Sequence, residues 1–156
     1  MEPQMRTEDF VTNLLILLDE TAKAPRRPGG SAYLDRDSGF LQTLGALDVE
    51  QALRHVAGGP SIAAHIAHAL YYVDVNQAFM DGREPVTDWP GSWRLDELTP
   101  EAWEDLKRRF LTSLEVLGER VRHTEQWSDD LAGGAMAILV HTAYHLGAVR
   151  QMLRHV

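Results

Sequence analysis

The amino-acid sequence predicts an all-α protein, a four-helix bundle with one extra short helix and two long loops. Apolar residues recur at helical spacing in four long segments, whereas no segment shows the sustained alternation of apolar and polar residues that is typical of a β-strand. Clusters of proline and glycine separate these segments. Because each segment has an apolar face to bury, packing the four against one another is the expected architecture.

The first long helix is predicted over Thr7–Lys23, where apolar residues form a wide stripe for burial. These residues are Phe10, Val11, Leu14, Leu15, Leu17 and Leu18. A cluster of helix breakers over 24–30 (APRRPGG) ends the helix and begins a loop that is expected to run to about Ala46. A loop of this length is often functional.

A short helix and the second long helix follow. Asp48, with Gln51 three residues later, predicts a capping box that opens the short helix, and the glycine pair at 58–59 is expected to close it. The second long helix is predicted over 61–80, with Gly82 as its stop. A second long loop then leads to the next helix start.

The third long helix is predicted to begin at Thr99-Pro100-Glu101, which offers an N-cap, a proline at N1 and an early negative charge. Its buried stripe consists of Trp103, Leu106, Phe110, Leu114, Leu117 and Val121. Asp105 and Arg109 are expected to pair across one turn. The last helix is predicted from about Ala135, after the glycine pair at 133–134, to His155.

Length and hydropathy limit the class of protein. The 156 residues suit one domain, 1–156. Residues 1–10 include four charged side chains, which is unlike a secretory signal. The longest aliphatic runs, 14–18 and 135–140, are far shorter than the ~20 apolar residues of a membrane span. We therefore expect a soluble, cytoplasmic protein with no membrane partner.

Two features of the composition exclude classes of site and partner. The chain has no cysteine, which excludes a disulfide framework, a thiolate metal site and a cysteine nucleophile. The net charge of -8 and the pI near 5.3 oppose the basic surface that nucleic-acid binding needs. Any metal must therefore be bound by His, Asp or Glu, and nucleic acid is not an expected partner.

Four of the seven histidines lie on predicted helices in positions that indicate a metal site. His141 and His145 are one turn apart on the last helix, about 40° apart around its axis, so both face the stripe that should be buried. His65 and His68 lie on the second long helix. Two adjacent buried imidazoles need partners for their nitrogens and resist double protonation. A divalent ion shared with a third histidine would meet both requirements.

Periodicity leaves the ligand from the second long helix open between His65 and His68. His65 is nearer the arc of Ile62, Ile66 and Val73, and this slightly favours it. The alternative to a metal site is a set of core histidines that hydrogen-bond to backbone carbonyls or hydroxyls, since His-x-x-x-His also occurs by chance. The remaining histidines, expected at the surface, are His55, His123 and His155.

These segments resemble the DinB/YfiT-like superfamily of metal-dependent enzymes. The resemblance rests on Ser61–His68 (SIAAHIAH) and His141–Gln151 (HTAYHLGAVRQ), and it extends over nearly the whole chain. Members are four-helix bundles, usually homodimers, in which one histidine of the second helix and a C-terminal His-x-x-x-His bind nickel or zinc. The first ligand lies seven residues after the Ser or Thr that opens its helix. The resemblance therefore implies His68, His141 and His145 as the ligands.

The resemblance also implies a pocket beside the metal. His65 is then expected next to the ligands or facing the substrate. The stretch Trp89–Trp93 (WPGSW) resembles a tryptophan-containing stretch after the second helix in one branch of the family. The pocket candidates are Tyr72, Tyr144, Trp89 and Trp93. Simple packing is the alternative for each of them.

An enzyme acting on a small molecule is the function that the resemblance implies. Characterised members include thiol S-transferases that use bacillithiol or mycothiol, and a mycothiol-dependent maleylpyruvate isomerase. Three neutral imidazoles leave an ion its charge and at least one open position, which suits activation of a thiol or a water. We expect transfer of a low-molecular-weight thiol ahead of hydrolysis, with the thiol supplied by a cosubstrate because the chain has no cysteine.

Two other functions stay open. The chain can instead be a non-catalytic, stress-related metal-binding homodimer, or a metal-free bundle that acts through its dimer surface. A homodimer is expected because the second long helix carries apolar residues on more than one arc, with Tyr72, Val75 and Phe79 beside the arc of Ile62.

Overall fold

A computed structural model describes residues 6–25 and 27–156, and this part of the chain is all-helical. Its helices are α1 (Thr7–Lys23), α2 (Phe40–Gly45), α3 (Val49–Leu53), α4 (Ile62–Met80), α5 (Pro100–His123) and α6 (Asp129–Met152). One turn of 3₁₀ helix, Gly91–Trp93, lies between α4 and α5. The described residues form no β-strand, so the predicted all-α class is confirmed.

Four of the helices are long and share one apolar core. α4 packs against both α5 and α6, and α1 packs against the same two helices. The largest fully buried apolar side chains are Trp103, Phe40, Phe110, Leu44, Ile62, Ile66, Leu114, Leu117, Ile138 and Leu146. Within the predicted stripe of α5, only Leu106 is partly rather than fully buried. Periodicity thus identified the inner face of this helix correctly.

Side-chain caps fix three of the helix starts that the sequence predicts. Asp48 and Gln51 form the expected capping box at α3. The Thr99 hydroxyl accepts a hydrogen bond from the amide of Ala102 at the start of α5. Ser61 does the same for Ala64 in α4. Each cap satisfies an amide that the first turn of a helix leaves without a partner.

The predicted loop over 24–46 is wrong in its second half, which contains α2. This helix has only six residues, too few for a periodic pattern to stand out. Tertiary packing explains it, because the fully buried Phe40 ring packs edge-on against Phe110 at a centroid distance of 4.8 Å. At the N-cap of α2, a Cβ added to Gly39 would lie 2.7 Å from the backbone nitrogen of Ala24. Any other residue at position 39 would therefore clash with the backbone at the end of α1.

Two other boundaries differ from the prediction because the pair at 58–59 does not end a helix and the pair at 133–134 does not precede one. α3 stops at Leu53, before the pair at 58–59. α6 starts at Asp129, capped by the Ser128 hydroxyl, and it runs through the pair at 133–134. A Cβ added to Gly134 would lie 3.1 Å from Met80 Cγ. This glycine therefore permits close packing of α6 on α4. α6 also ends at Met152, three residues before the expected His155.

One predicted ion pair on α5 has a different partner. Asp105 pairs with Arg108, three residues on, whereas the sequence predicted Arg109. Both arginines can be reached from Asp105 on a helical surface, and exposed pairs of this kind contribute little to stability.

α6 is also the one described helix that is long and apolar enough, by length and composition alone, to cross a membrane. The sequence-based count missed this because it considered aliphatic runs, whereas α6 also contains uncharged His, Thr, Tyr and Gly. The property is weak evidence for a membrane span, since a core helix of a soluble protein passes the same test. Ala135, Ile138 and Val149 of α6 belong to the apolar core.

A buried carboxylate holds the connection between α1 and α2 in place. Glu20 is 3% exposed and accepts hydrogen bonds from three consecutive amides, those of Ala32, Tyr33 and Leu34, at 2.7, 2.8 and 2.7 Å. Burial alone would raise the pKa of this carboxyl, but the three amides, aided by the positive charge of Arg27, lower it below 4.5. Glu20 is therefore ionised at neutral pH and accepts hydrogen bonds from all three amides.

Replacing this carboxylate should destabilise the fold in a pH-dependent way. We expect Glu20→Gln to lower the free energy of unfolding by roughly 1–3 kcal/mol at pH 7, since it weakens bonds to three amides. Because the folded-state pKa is lowered, the carboxylate contributes fully above about 4.5, the value of an unfolded glutamate, and loses its contribution as pH falls through the folded value. Urea unfolding from pH 7 to pH 3 measures both effects.

The control is Glu125→Gln, a glutamate that is exposed. It should change the free energy of unfolding by less than about 0.5 kcal/mol at every pH. Equal stability of Glu20→Gln and the wild type at pH 7 would contradict the role assigned to Glu20.

Candidate metal centre

The candidate site lies where the N-terminal half of α4 packs against the middle of α6. His65 and His68 are on the first two turns of α4, after its Ser61 cap, and His141 and His145 are one turn apart on α6. Because α4 and α6 pack against each other, all four rings come together. His68 and His145 are buried, at 8% and 1% exposure, while His65 and His141 are partly buried.

Three of these histidines form a cluster that could hold a metal ion. One ring nitrogen from each of His68, His141 and His145 lies within 4.8 Å of the other two. Nε2 of His141 and Nε2 of His145 are 3.2 Å apart. Two ligands of a tetrahedral zinc ion, each about 2.0–2.1 Å from it, are roughly 3.3 Å apart. This pair is therefore already spaced as two nitrogens that share one ion.

His65 lies outside this cluster, on the other side of the His145 ring. Its Nδ1 is 2.9 Å from Nδ1 of His145, whereas His145 faces His141 through Nε2. The helical-face argument, which slightly favoured His65, therefore picked the histidine that contacts the cluster from outside. The spacing from Ser61 picked His68, which the structure brings together with the two histidines of α6.

Aromatic side chains surround the cluster, and they include all four pocket candidates. Trp93 stacks on the His68 ring at 3.9 Å between centroids, and Tyr72 stacks on His141 at 3.6 Å. The ring centroid of Trp89 lies 6.5 Å from that of His68, and the ring centroid of Tyr144 lies 5.2 Å from that of His145. Trp89 and Tyr144 are exposed, at 37% and 68%, so they lie at the outer edge of the site.

The electrostatic environment keeps the imidazoles neutral. Burial, with the nearby His141, His65 and His68, lowers the pKa of His145 to about 3. Burial and the nearby His68 lower the pKa of His141 to about 4. The pKa values of His65 and His68 are also lowered, mainly by burial. Each ring is therefore neutral at pH 7 and has a lone pair on one nitrogen. The neutral form is the one that binds a metal.

The contacts of His145 argue against a simple set of core histidines. That alternative predicts backbone carbonyls or hydroxyls as partners, yet both nitrogens of His145 face other imidazoles within the described structure. His141 Nδ1 is buried and has no hydrogen-bond partner among the described residues. In the part of the chain that the structure describes, His68 is the one histidine of the four with a hydroxyl partner, Ser92. The cluster of His68, His141 and His145 could therefore hold a metal ion.

Ser92 is the residue at this site that sequence reasoning missed. Its Oγ lies 2.7 Å from His68 Nδ1 and 2.6 Å from the carbonyl oxygen of Trp89. The only sequence signal is that Ser92 lies between Gly91 and Trp93 in WPGSW. No spacing rule links it to His68, which lies 24 residues earlier. The remaining histidines are exposed, as expected: His55, His123 and His155.

Comparison with known proteins does not assign a family to the chain. No protein-family model, no curated protein and no solved structure matches the chain.

Proposed function

We propose that this chain is a cytoplasmic metal-dependent enzyme of the DinB/YfiT-like type. In this proposal its long helices form the four-helix bundle of that superfamily, and His68, His141 and His145 hold one zinc or nickel ion. The observation that carries the proposal is the convergence of three neutral imidazole nitrogens within 4.8 Å. The resemblance of the two histidine-containing segments to the superfamily supports the same ligand set.

The number of ligands favours catalysis over a purely structural role. Structural zinc sites usually have four protein ligands, whereas catalytic sites have three and an open position. The cluster found among the described residues has three histidines and no carboxylate. An ion held there would lower the pKa of a thiol or a water that reached it. This is the reason to prefer the enzyme over the non-catalytic, stress-related homodimer.

The surroundings of the cluster suit a small organic molecule. Trp89 and Tyr144, both exposed, flank the site, and Tyr72 and Trp93 hold the ligand rings by stacking. Since the chain has no cysteine, any thiol nucleophile must come from outside it. We propose transfer of a low-molecular-weight thiol to an electrophilic substrate as the reaction, ahead of hydrolysis.

Metal binding is the first test of the proposal. Wild-type protein should bind about one zinc or nickel ion per chain, and His68→Ala, His141→Ala and His145→Ala should each weaken the affinity by at least about 100-fold, since each removes a ligand. His65→Ala should keep stoichiometric binding. Elemental analysis and titration calorimetry on the five proteins measure stoichiometry and affinity.

The exposed His123 provides a matched control, and His123→Ala should bind metal like the wild type. Loss of metal in His65→Ala with retention in His68→Ala would overturn the ligand assignment. Failure of the wild type to bind zinc or nickel would leave the core-histidine alternative standing.

Activity is the second test. The zinc- or nickel-loaded protein, mixed with bacillithiol, mycothiol or another small thiol and a panel of electrophiles, should accelerate thioether formation. His145→Ala should reduce that rate towards the uncatalysed background because it removes one ligand and so weakens binding of the ion. Chromatography with mass detection of the thioether product measures the rate. A tightly bound ion with neither thiol transfer nor hydrolysis would support the non-catalytic alternative instead.

A homodimer is part of the proposal, although its surface differs from the sequence-based one. Of the three residues expected to face a partner, Val75 is buried within the chain and Tyr72 stacks on His141, so only Phe79 is exposed. α6 contributes Met136, Val140 and Tyr144, a row of exposed side chains spaced four residues apart. We propose that this row of α6 packs against a second copy of the chain.

Light scattering tests this surface directly. The wild type should have twice the 17.5 kDa mass of one chain. Val140→Glu should have the mass of the monomer, because the dimer would have to bury an unpaired charge in its interface. Val86→Glu, at a fully exposed position, is the matched control and should remain dimeric. A monomeric wild type at about 50 µM would contradict the proposed dimer, since stable interfaces have lower dissociation constants.

A further inference from the structure

The proton positions around Ser92 can be read from its contacts. A serine hydroxyl has one hydrogen to donate and two lone pairs to accept with. The carbonyl oxygen of Trp89 can only accept, and it lies 2.6 Å from Ser92 Oγ, so the hydroxyl donates to it. The contact of 2.7 Å between Ser92 Oγ and His68 Nδ1 must then be donated by the histidine. His68 therefore has its proton on Nδ1.

A neutral imidazole has one proton, so this contact also determines the other nitrogen. With Nδ1 protonated, Nε2 of His68 keeps its lone pair. Nδ1 is already engaged by Ser92, so Nε2 is the nitrogen left for the cluster with His141 and His145. Stacking of the ring on Trp93, with 15° between planes, restricts rotation that would exchange the two nitrogens.

From this geometry we infer that Ser92 is a positioning residue for the metal centre, holding His68 in the tautomer whose Nε2 can bind the ion. This inference rests on the proposed metal site. Outer partners of this kind orient a ligand ring and increase its basicity. Ser92 acts through His68 and does not itself contact the ion or a substrate in this assignment.

The segment that presents Ser92 is held by its own hydrogen bonds. Asp88 Oδ1 accepts the amide of Gly91 at 2.9 Å, and the Tyr71 hydroxyl accepts the amide of Asp88 at 2.7 Å. A Cβ added to Gly91 would lie 2.0 Å from Asp88 Oδ2, so a larger residue at this position would displace the Asp88 carboxylate. Because Tyr71 is on α4, the turn is tied to the same helix that carries His68.

The other two histidines of the cluster have no comparable partner. Nδ1 of His145 faces Nδ1 of His65, and either ring can be the donor in that contact. Nδ1 of His141 has no hydrogen-bond partner in residues 6–25 and 27–156. Within the described structure, His68 is thus the cluster member whose tautomer is fixed by a group with a determined donor role.

Two substitutions of Ser92 separate the hydrogen bond from packing. Ser92→Ala removes the acceptor, and Ser92→Thr keeps the hydroxyl. In the metal-free protein, long-range proton–nitrogen NMR correlations should show His68 protonated at Nδ1 in the wild type and in Ser92→Thr. The same spectrum of Ser92→Ala should show the Nε2-protonated tautomer gaining population. Ser31→Ala, an exposed serine, is the matched control.

Zinc titration by calorimetry on the same proteins supplies the second readout. Ser92→Ala should bind zinc about 10- to 100-fold more weakly than the wild type, while Ser92→Thr and Ser31→Ala should bind within about threefold of it. Melting temperatures of the metal-free variants establish that each is folded.

The two readouts distinguish failure of the inference from failure of the proposed site. If the wild type binds zinc and Ser92→Ala matches it in affinity and tautomer, the inference is overturned and the metal site stands. Weaker zinc binding in Ser92→Ala with an unchanged tautomer also overturns it, because packing would then be the cause. A wild type that binds no zinc overturns the proposed site and the inference with it.

Discussion

The packing of α4 against α6 is the constraint on which the candidate site depends. From Leu131 to Val149, α6 has no Asp, Glu, Lys or Arg, and α4 has a single one, Asp74. Two nearly uncharged helices can approach closely, and Gly134 lets α6 lie directly against Met80. The histidines of both helices are therefore withdrawn from water together. The same burial lowers their pKa values and leaves neutral nitrogens facing one another.

Sequence periodicity predicted the long helices well because each has a continuous apolar face. It failed where tertiary contacts override local signals. α2 forms because Phe40 packs on Phe110, and α6 passes through a glycine pair whose second member, Gly134, leaves room for Met80 of α4. Gly133-Gly134 looks like a helix boundary in the sequence, since glycine is a poor helix former, but packing against Met80 compensates for that cost.

The part of the candidate site that could be predicted from the sequence is the part that follows from helix geometry. His141 and His145 are one turn apart, so their common face follows from helix geometry alone. The choice between His65 and His68 does not follow from it, because periodicity gives the direction of a side chain relative to its own helix and not which neighbour it meets. Both histidines reach His145, one by Nδ1 to Nδ1 and the other within the three-histidine cluster. The contact of Ser92 with His68 could not be predicted, since the position of Ser92 depends on the path of an irregular segment.

Helices and connecting segment thus have separate tasks at this site. The helices set where the ring nitrogens lie, because backbone positions in packed helices are rigid. They do not set which nitrogen of a ring is protonated, and a histidine in the other tautomer has its lone pair on the nitrogen that faces away from the cluster. That choice needs a partner with a defined donor or acceptor role, and the Asp88–Ser92 turn supplies one at His68. In the proposed metal site, the segment after α4 would therefore determine the protonation of a ligand as well as cover the site, and the hydrogen bond from the Asp88 amide to the Tyr71 hydroxyl ties this segment to α4.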